Sequence, residues 1–354
     1  MKTNRILLSF IAFFSTLVIL SFALFFTFLH QNNLTWSEYW KNSDIYGSIT
    51  LPKLKFNKGI KTIHEEVNFP LVSKLSITVD IESVSFVEEE REDILVVYDY
   101  RHPNASEYDI RFQSFHAEEE IHLIAGTKAK QGNHRIPLLN NDLSDIYRGS
   151  IVVYVPKAYQ FQTLSITTSF SNIDRESVYQ NADNFVFASS MGNIQFEVNT
   201  PKQVVSINTD LGNISIYGNA DIHTLDVISN LGNCYLQCDK SLHTLYLLND
   251  FGNSTIVMKD SLFGGNIQTN VGNTVIYNQN LPRFLSATSL SGDISAYFPE
   301  NDSCYIHSVN GQTDSYFSIQ ASERPHFSFE SHNGDISILK NDSQALEALQ
   351  QVRE

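Results

Sequence analysis

His223 and His243 stand twenty residues apart, and Asp221 lies two residues before the first. Two imidazoles and a carboxylate brought within a few ångströms could ligate a metal ion or relay a proton. Cys234, Cys238 and Cys304 are the only thiols and could pair or bind metal. The acidic runs 88–90 and 118–120 are flanked by Arg91 and by His116 and His122. Motifs with a built-in mechanism are missing: there is no Gly-x-Ser-x-Gly, no His-Glu-x-x-His, no phosphate loop and no Cys-x-x-Cys. Any chemistry therefore depends on which scattered residues the fold brings together.

A repeat governs that placement. Gly192, Gly212, Gly232, Gly252, Gly272 and Gly292 recur at an interval of 20. They are followed by Asn193, Asn213, Asn233, Asn253, Asn273 and Asp293. Gly311 with Gln312 and Gly334 with Asp335 continue the series at intervals of 19 and 23. A fixed period of this length is the signature of a stacked repeat. Apolar columns lie seven residues before each Gly (Phe185, Val205, Leu225, Leu245, Leu285), five before (Phe187, Ile207, Val227, Leu247, Ile267), one before (Met191, Leu211, Leu231, Phe251, Val271) and four after (Phe196, Ile216, Leu236, Ile256, Ile276). Alternation with period two means half-buried strands.

Each unit reads as strand, tight turn at Gly-Asn, strand, looser corner. A row of hairpins is the local alternative. Constancy of residue type within each column favours direct stacking of like columns as parallel strands about 4.8 Å apart. The expected fold is all-β, a parallel β-solenoid of about 20 residues per coil. Gly is expected to supply positive φ at the turn. Asn is expected to bond, amide to amide, to the coil above. The column three before each Gly (Ser189, Thr209, Ser229, Asn249, Thr269, Ser289, Ser308, Ser331) is expected to point inward and bond the turn backbone. These turn residues read as structural. A calcium-binding array would need Gly-Gly-x-Gly-x-Asp, which the chain lacks.

Upstream, Leu164, Ile166, Thr168 and Phe170 precede Ser171-Asn172-Ile173, with Ser in the Gly position. Strand-like stretches at 75–86, 94–100, 108–115, 120–125 and 150–155 read as less regular first coils, or else as a separate β-domain. Residues 126–149 read as an inserted loop. Residues 341–354 show helical spacing of Ala345, Leu346, Ala348, Leu349 and Val352, a short helix or tail at the end of a 69–340 solenoid.

In this frame the chemistry thins out. His223 and His243 fall in one column, one coil apart, as an exposed stack followed by Phe263 and Arg283. Cys234 and Cys238 share a strand about 13 Å apart, and Cys304 lies coils away, so three reduced thiols are expected. The acidic runs read as solvated strand ends. No catalytic, cofactor or metal site is expected. A β-helix hydrolase or lyase would need acids and bases repeating on an outward face, where Ser, Thr, Asn, Gln and Tyr prevail.

Residues 1–5 carry Lys2 and Arg5, and residues 6–29 carry no charge. Twenty-four uncharged residues suit a membrane span, and no small-x-small cleavage site follows. The basic residues place the N-terminus in the cytoplasm and the remainder outside. Trp36, Tyr39 and Trp40, in the linker 30–68, suit the membrane interface or packing on the first coil. Beyond Arg5 stand 22 basic and 39 acidic residues, a net charge of −17. That balance argues against nucleic acid and against anionic lipid or wall polymers as electrostatic partners.

The recurrent Ser/Thr-x-x-Gly-Asn/Asp-Ile-x-Ile, as in Thr209-Asp210-Leu211-Gly212-Asn213-Ile214-Ser215-Ile216 and Ser331-His332-Asn333-Gly334-Asp335-Ile336-Ser337-Ile338, resembles a bacterial family of envelope β-solenoids known as "putative adhesin". The stretch Ile151-Val152-Val153-Tyr154-Val155-Pro156 resembles it too, and the likeness covers about residues 70–340. The resemblance implies a right-handed solenoid at the bacterial envelope, in some members linked to envelope stress, and brings no catalytic residues. The expected function is a membrane-anchored, non-catalytic binding or scaffold protein with a membrane-protein or surface-polymer partner. A surface adhesin is the alternative.

Overall fold

The computed structural model describes residues 61–102, 108–129, 148–299, 303–315, 318–319, 327–341 and Leu346. The expected tail 1–5, the span 6–29, the linker up to residue 60 and nearly all of the C-terminal helix fall outside the described residues. Among the described residues no helix is long and apolar enough to cross a membrane.

The first strands are β1 (Lys61–Phe69), β2 (Lys74–Val79), β3 (Ser83–Glu89), β4 (Ile94–His102), β5 (Tyr108–Ala117), β6 (Glu120–Ala129), β7 (Arg148–Pro156) and β8 (Phe161–Thr168). They are followed by strands that alternate long and short. The long ones are β9 (Ala182–Met191), β11 (Lys202–Leu211), β13 (Ile222–Leu231), β15 (Leu242–Phe251), β17 (Leu262–Val271) and β19 (Phe284–Ser291). The short ones are β10 (Ile194–Val198), β12 (Ile214–Gly218), β14 (Cys234–Cys238), β16 (Ser254–Met258), β18 (Thr274–Asn278) and β20 (Ile294–Phe298). The chain closes with β21 (Ser303–Ser308), β22 (Thr313–Ser315), β23 (Ser318–Ile319), β24 (Phe327–Asn333) and β25 (Ile336–Lys340).

Long strands pair with long, short with short, all parallel and in register at a step of 20 residues: Val205 opposite Leu225 opposite Leu245, and Ile216 opposite Leu236 opposite Ile256. The body is a parallel β-solenoid with two walls, one of 13 strands and one of 8. The columns seven and five before each Gly, and four after, fill the space between the walls and are buried. Wide side chains open the stack, where Phe185, Phe187 and Phe196 pack against one another. Narrow ones follow at Ala287 and Ala296, and Phe298, Phe327 and Phe329 refill the core behind them.

The apolar column one before each Gly behaves differently. Phe170, Met191, Leu211, Leu231, Phe251 and Val271 are 41–53% exposed. The chain is already bending into the turn there, so strict alternation no longer dictates which side a residue faces.

The early strands are coil-like only in part. β2 lies parallel to β8 and to β6 in the long wall. The stretch 75–86 breaks into two strands at residues 80–82, where the Glu82 carboxylate accepts from the Asp80 and Ile81 amides. β5 and β6 form an antiparallel hairpin, and β1, β4, β7 and β3 make a separate mixed sheet of four strands. Without Gly-Asn turns the chain reverses through antiparallel pairing, locally at β5 and β6 and over longer range at β1 with β4 and β4 with β7. β6 runs into the expected loop as far as Ala129, and β7 starts at Arg148.

The end of the stack departs from chain order. The walls end β20, β25, β22 and β19, β24, β21, β23. The coil of β24 and β25, last in sequence, sits directly on the coil of β19 and β20. The coil of β21 and β22 stacks outside it. The repeat continues through Gly311 and Gly334, but the two coils occupy swapped places.

Candidate functional site

The turn residues read from the sequence form one continuous column. A Cβ placed on Gly192, Gly212, Gly232, Gly252, Gly272, Gly292, Gly311 or Gly334 would come within 2.0–2.3 Å of a carbonyl oxygen in the adjoining turn. Five of them, Gly212 to Gly292, also hold φ between +139° and +156°. Close stacking of backbone on backbone, with positive φ in those five turns, therefore excludes any side chain.

Beside the Gly column, the side-chain oxygen of each Asn or Asp accepts from the backbone N–H of its counterpart in the next coil. The run Asn172, Asn193, Asn213, Asn233, Asn253, Asn273, Asp293, Asp335 and Gln312 is linked at 2.7–2.9 Å. The expected amide-to-amide bonding is replaced by amide-to-backbone bonding. One acceptor oxygen is all the position needs, which explains why Asp stands as readily as Asn.

The inward column beside the turn is buried from Ser189 to Ser289 and at Ser331, and half-buried at Ser308. Asn249 donates to the Gly252 carbonyl at 3.1 Å, Ser308 to the Gly334 carbonyl at 2.9 Å and Ser331 to the Gly292 carbonyl at 3.2 Å. Thr209 and Ser289 leave their hydroxyls without a partner, so the expected bonding to the turn is made at only some coils.

At the opposite corner lies an open groove of about 580 Å³ whose floor is Ile222, Leu242 and Leu262. One wall is the column containing His223, His243, Phe263 and Arg283. The two imidazoles stack with centroids 4.6 Å apart, His243 stacks on Phe263 at 4.4 Å, and the Arg283 guanidinium lies 5.1 Å from the Phe263 centroid. Asp221 is spent on structure, its carboxylate accepting from the Ser241 amide at 3.1 Å. The Ser261 hydroxyl donates to that of Ser241 at 3.0 Å. Among the described residues no group of three His, Cys, Asp or Glu is placed to hold a metal ion. The stack offers flat rings, one guanidinium and a row of hydroxyls along the coil axis, which suits contact with an extended ligand.

Sequence reasoning missed Lys202 at the head of this groove. It is 3% exposed, donates to the Gln180 carbonyl at 2.9 Å and to the Thr200 hydroxyl, and lies 4.8 Å from the Phe185 centroid. Burial lowers its pKa to about 8. Its column otherwise holds Ala182, Ile222, Leu242 and Leu262, so a Lys at an apolar position was the available signal. None of the three Cys forms a disulfide, and all three are buried. Burial pushes the Cys234 and Cys238 thiols up to about 12.

Comparison with known proteins gives a family. Among curated proteins none matches the chain. Solved structures similar to it include a "putative adhesin" from Bacteroides fragilis, with 11% identity over 79% of this chain and 97% of that one and a TM-score of 0.38. A "putative adhesin" from Parabacteroides distasonis has 11% identity over 78% and 97%, with a TM-score of 0.36. A "putative lipid binding protein" from the same species has 12% identity over 80% and 97%, with a TM-score of 0.32. The family model for the Toastrack domain matches residues 72–344, nearly the span over which the turn motif suggested a resemblance. The chain belongs to the Toastrack DUF4097 family.

Proposed function

We propose that this protein is a non-catalytic binding or scaffold protein of the cell envelope. Residues 6–29 anchor it, residues 1–5 remain in the cytoplasm and the solenoid faces outward. The charge asymmetry at the N-terminus and the uncharged run of 24 residues support the anchor. The observation that carries the binding role is the corner groove, where one exposed column presents imidazole, imidazole, phenyl and guanidinium on successive coils. A surface that repeats every coil is matched to a ligand that is itself extended. A message passed inward, as in a response to envelope stress, then travels through a membrane partner.

The test uses the full chain in nanodiscs with purified wall polymer from the producing cells, followed by co-sedimentation. Wild type is expected to pellet with polymer, and a His243→Ala/Phe263→Ala variant to remain in the supernatant. Equal pelleting of both would remove the groove from the account. Release of soluble sugar by the wild type would end the non-catalytic reading. The adhesin alternative is favoured by the same groove and predicts that intact cells lose attachment to a polymer-coated surface when the variant replaces wild type. Protease digestion of intact cells checks the topology: a C-terminal tag should be cut from outside.

A further inference from the structure

The second long surface is the apolar column beside the Gly turns. Phe170, Met191, Leu211, Leu231, Phe251 and Val271 stand exposed on six successive coils. Leu290, 57% exposed, prolongs them one position aside. Five steps of about 4.8 Å give a continuous apolar strip about 24 Å long. Isolated exposed hydrophobes are ordinary, but a contiguous strip marks an interaction site.

Spacing selects the shape of the partner. Along an α-helix, a stripe of side chains at an average of 3.5 residues advances about 5.2 Å per step. That lies within about half an ångström of the coil step. Side chains on one face of an extended strand advance about 6.7 Å per step and lose register after two coils. A helix of about 16 residues spans the strip.

Charge selects its chemistry. Across residues 188–195, 208–215, 228–235, 248–255, 268–275 and 288–295 there is no Lys, Arg or His, whereas Asp210, Asp250 and Asp293 flank the strip. Asp210 and Asp250 accept from Asn230 and Asn270 at 2.8 and 2.6 Å, which holds both carboxylates beside the column. A second copy would bring the same acids face to face, and an anionic lipid surface would meet like charge.

We infer that the column from Phe170 to Val271 docks an amphipathic helix of another protein, one whose apolar stripe is bordered by Lys or Arg. The inference goes beyond the groove and involves none of its residues.

The experiment uses the full chain in nanodiscs and two labelled 18-residue helices of identical Leu stripe, one bordered by Lys and one by Glu, with fluorescence anisotropy as the readout. The Lys helix is expected to bind. Binding should weaken at least about 10-fold in Leu231→Ser/Phe251→Ser, the loss expected from two uncovered apolar contacts. It should weaken about 3-fold or more in Asp210→Asn/Asp250→Asn at low salt. Leu231, Phe251 and Asp210 are exposed, and at the half-buried Asp250 an Asn keeps the acceptor oxygen, so the variants should melt with wild type. Equal binding of both helices, no binding of either, or no effect of the Leu231 and Phe251 changes would overturn the inference. Two further outcomes would name another occupant and overturn it as well. One is a dimer in sedimentation equilibrium that Leu231→Ser disperses. The other is a Leu211→Cys thiol, selective because the native thiols are buried, that a water-soluble maleimide reaches in detergent but not in nanodiscs. Polymer co-sedimentation by the same variants reads the groove separately, so failure of one account leaves the other standing.

Discussion

The backbone N–H of Asn273 donates to the side-chain oxygen of Asn253 at 2.9 Å, one coil away. The bond requires an acceptor at residue 253 and nothing of the amide nitrogen. Asn253→Asp should therefore stay within about 0.5 kcal/mol of wild type, because the acceptor survives. Asn253→Ala should lose about 1 kcal/mol as the bond disappears. Denaturant unfolding of the two variants checks the difference, and equal losses would mean that the amide nitrogen matters.

Gly252 and Gly264 separate backbone crowding from side-chain crowding. A Cβ at Gly252 would meet the Gly232 carbonyl oxygen at 2.0 Å, with φ at +141°. One at Gly264 would meet the Phe284 ring tip at 1.9 Å, and that ring is exposed and can swing away. Gly252→Ala should cost about 3 kcal/mol or more, and Gly264→Ala under about 1 kcal/mol. Melting temperatures in the reverse order would refute the turn-stacking account.

Glu82 is fully buried, and its second carboxylate oxygen has no partner, as is also true of the Tyr98 hydroxyl. Burial raises the Glu82 pKa above its ordinary 4.5, against the pull of the two amides it binds. The folded state holds this proton more tightly than the unfolded chain does. Its stabilising effect is complete below about 4.5 and is lost as pH rises through the folded value. Glu82→Gln should melt higher than wild type at pH 7 and show a flatter profile above pH 4.5. A wild-type stability independent of pH in that range would contradict this.

The thiols give a readout of the whole stack. Cys234, Cys238 and Cys304 are buried, and for the first two the thiolate is strongly disfavoured. Labelling at pH 8 should be negligible in the native protein and should appear for all three at the unfolding midpoint. Rapid labelling of any one would show that its coil opens independently.

The repeat made the solenoid legible. Gly every 20 residues fixed the turns, and constant columns fixed which strands stack. Parity placed Phe185, Phe187 and Phe196 inside. It gave no guidance one residue from the turn, where Leu211 and Phe251 face solvent because the backbone has begun to bend. Before residue 160 no turn signal recurs, and antiparallel pairing between distant strands such as β4 and β7 depends on contacts that no local pattern announces. The column of His223, His243, Phe263 and Arg283 is legible from the repeat, but the groove it walls is not, because the depth beside it depends on how the chain turns the corner. His223 and His243 were visible as a pair, but Lys202 only as an anomaly. Intervals of 19 and 23 revealed irregular spacing at Gly311 and Gly334, not the exchange of their places.

Phe329 should test that exchange. Its ring lies 6.1 Å from that of Phe298, and Phe327 lies at 5.7 Å. Phe329→Ala should cost about 3–5 kcal/mol locally. It should also expose residues 303–315 to protease, because that coil rests on β24 and β25. Cleavage confined to residues 327–341 would argue against the stacking order.

The exchanged coils also bear on how the molecule is made. From β8 to β20, every coil finds its seat ready as it leaves the ribosome, so assembly there can proceed like thread onto a spool. The segment of β21 and β22 then emerges with its seat missing, since that seat is built from residues 327–340, which are synthesised later. It must wait beside the growing edge until the last strands slip in beneath it. Completion of the stack therefore waits on the synthesis of residues 327–340, and an mRNA truncated within those codons would leave a displaced coil as well as a missing one.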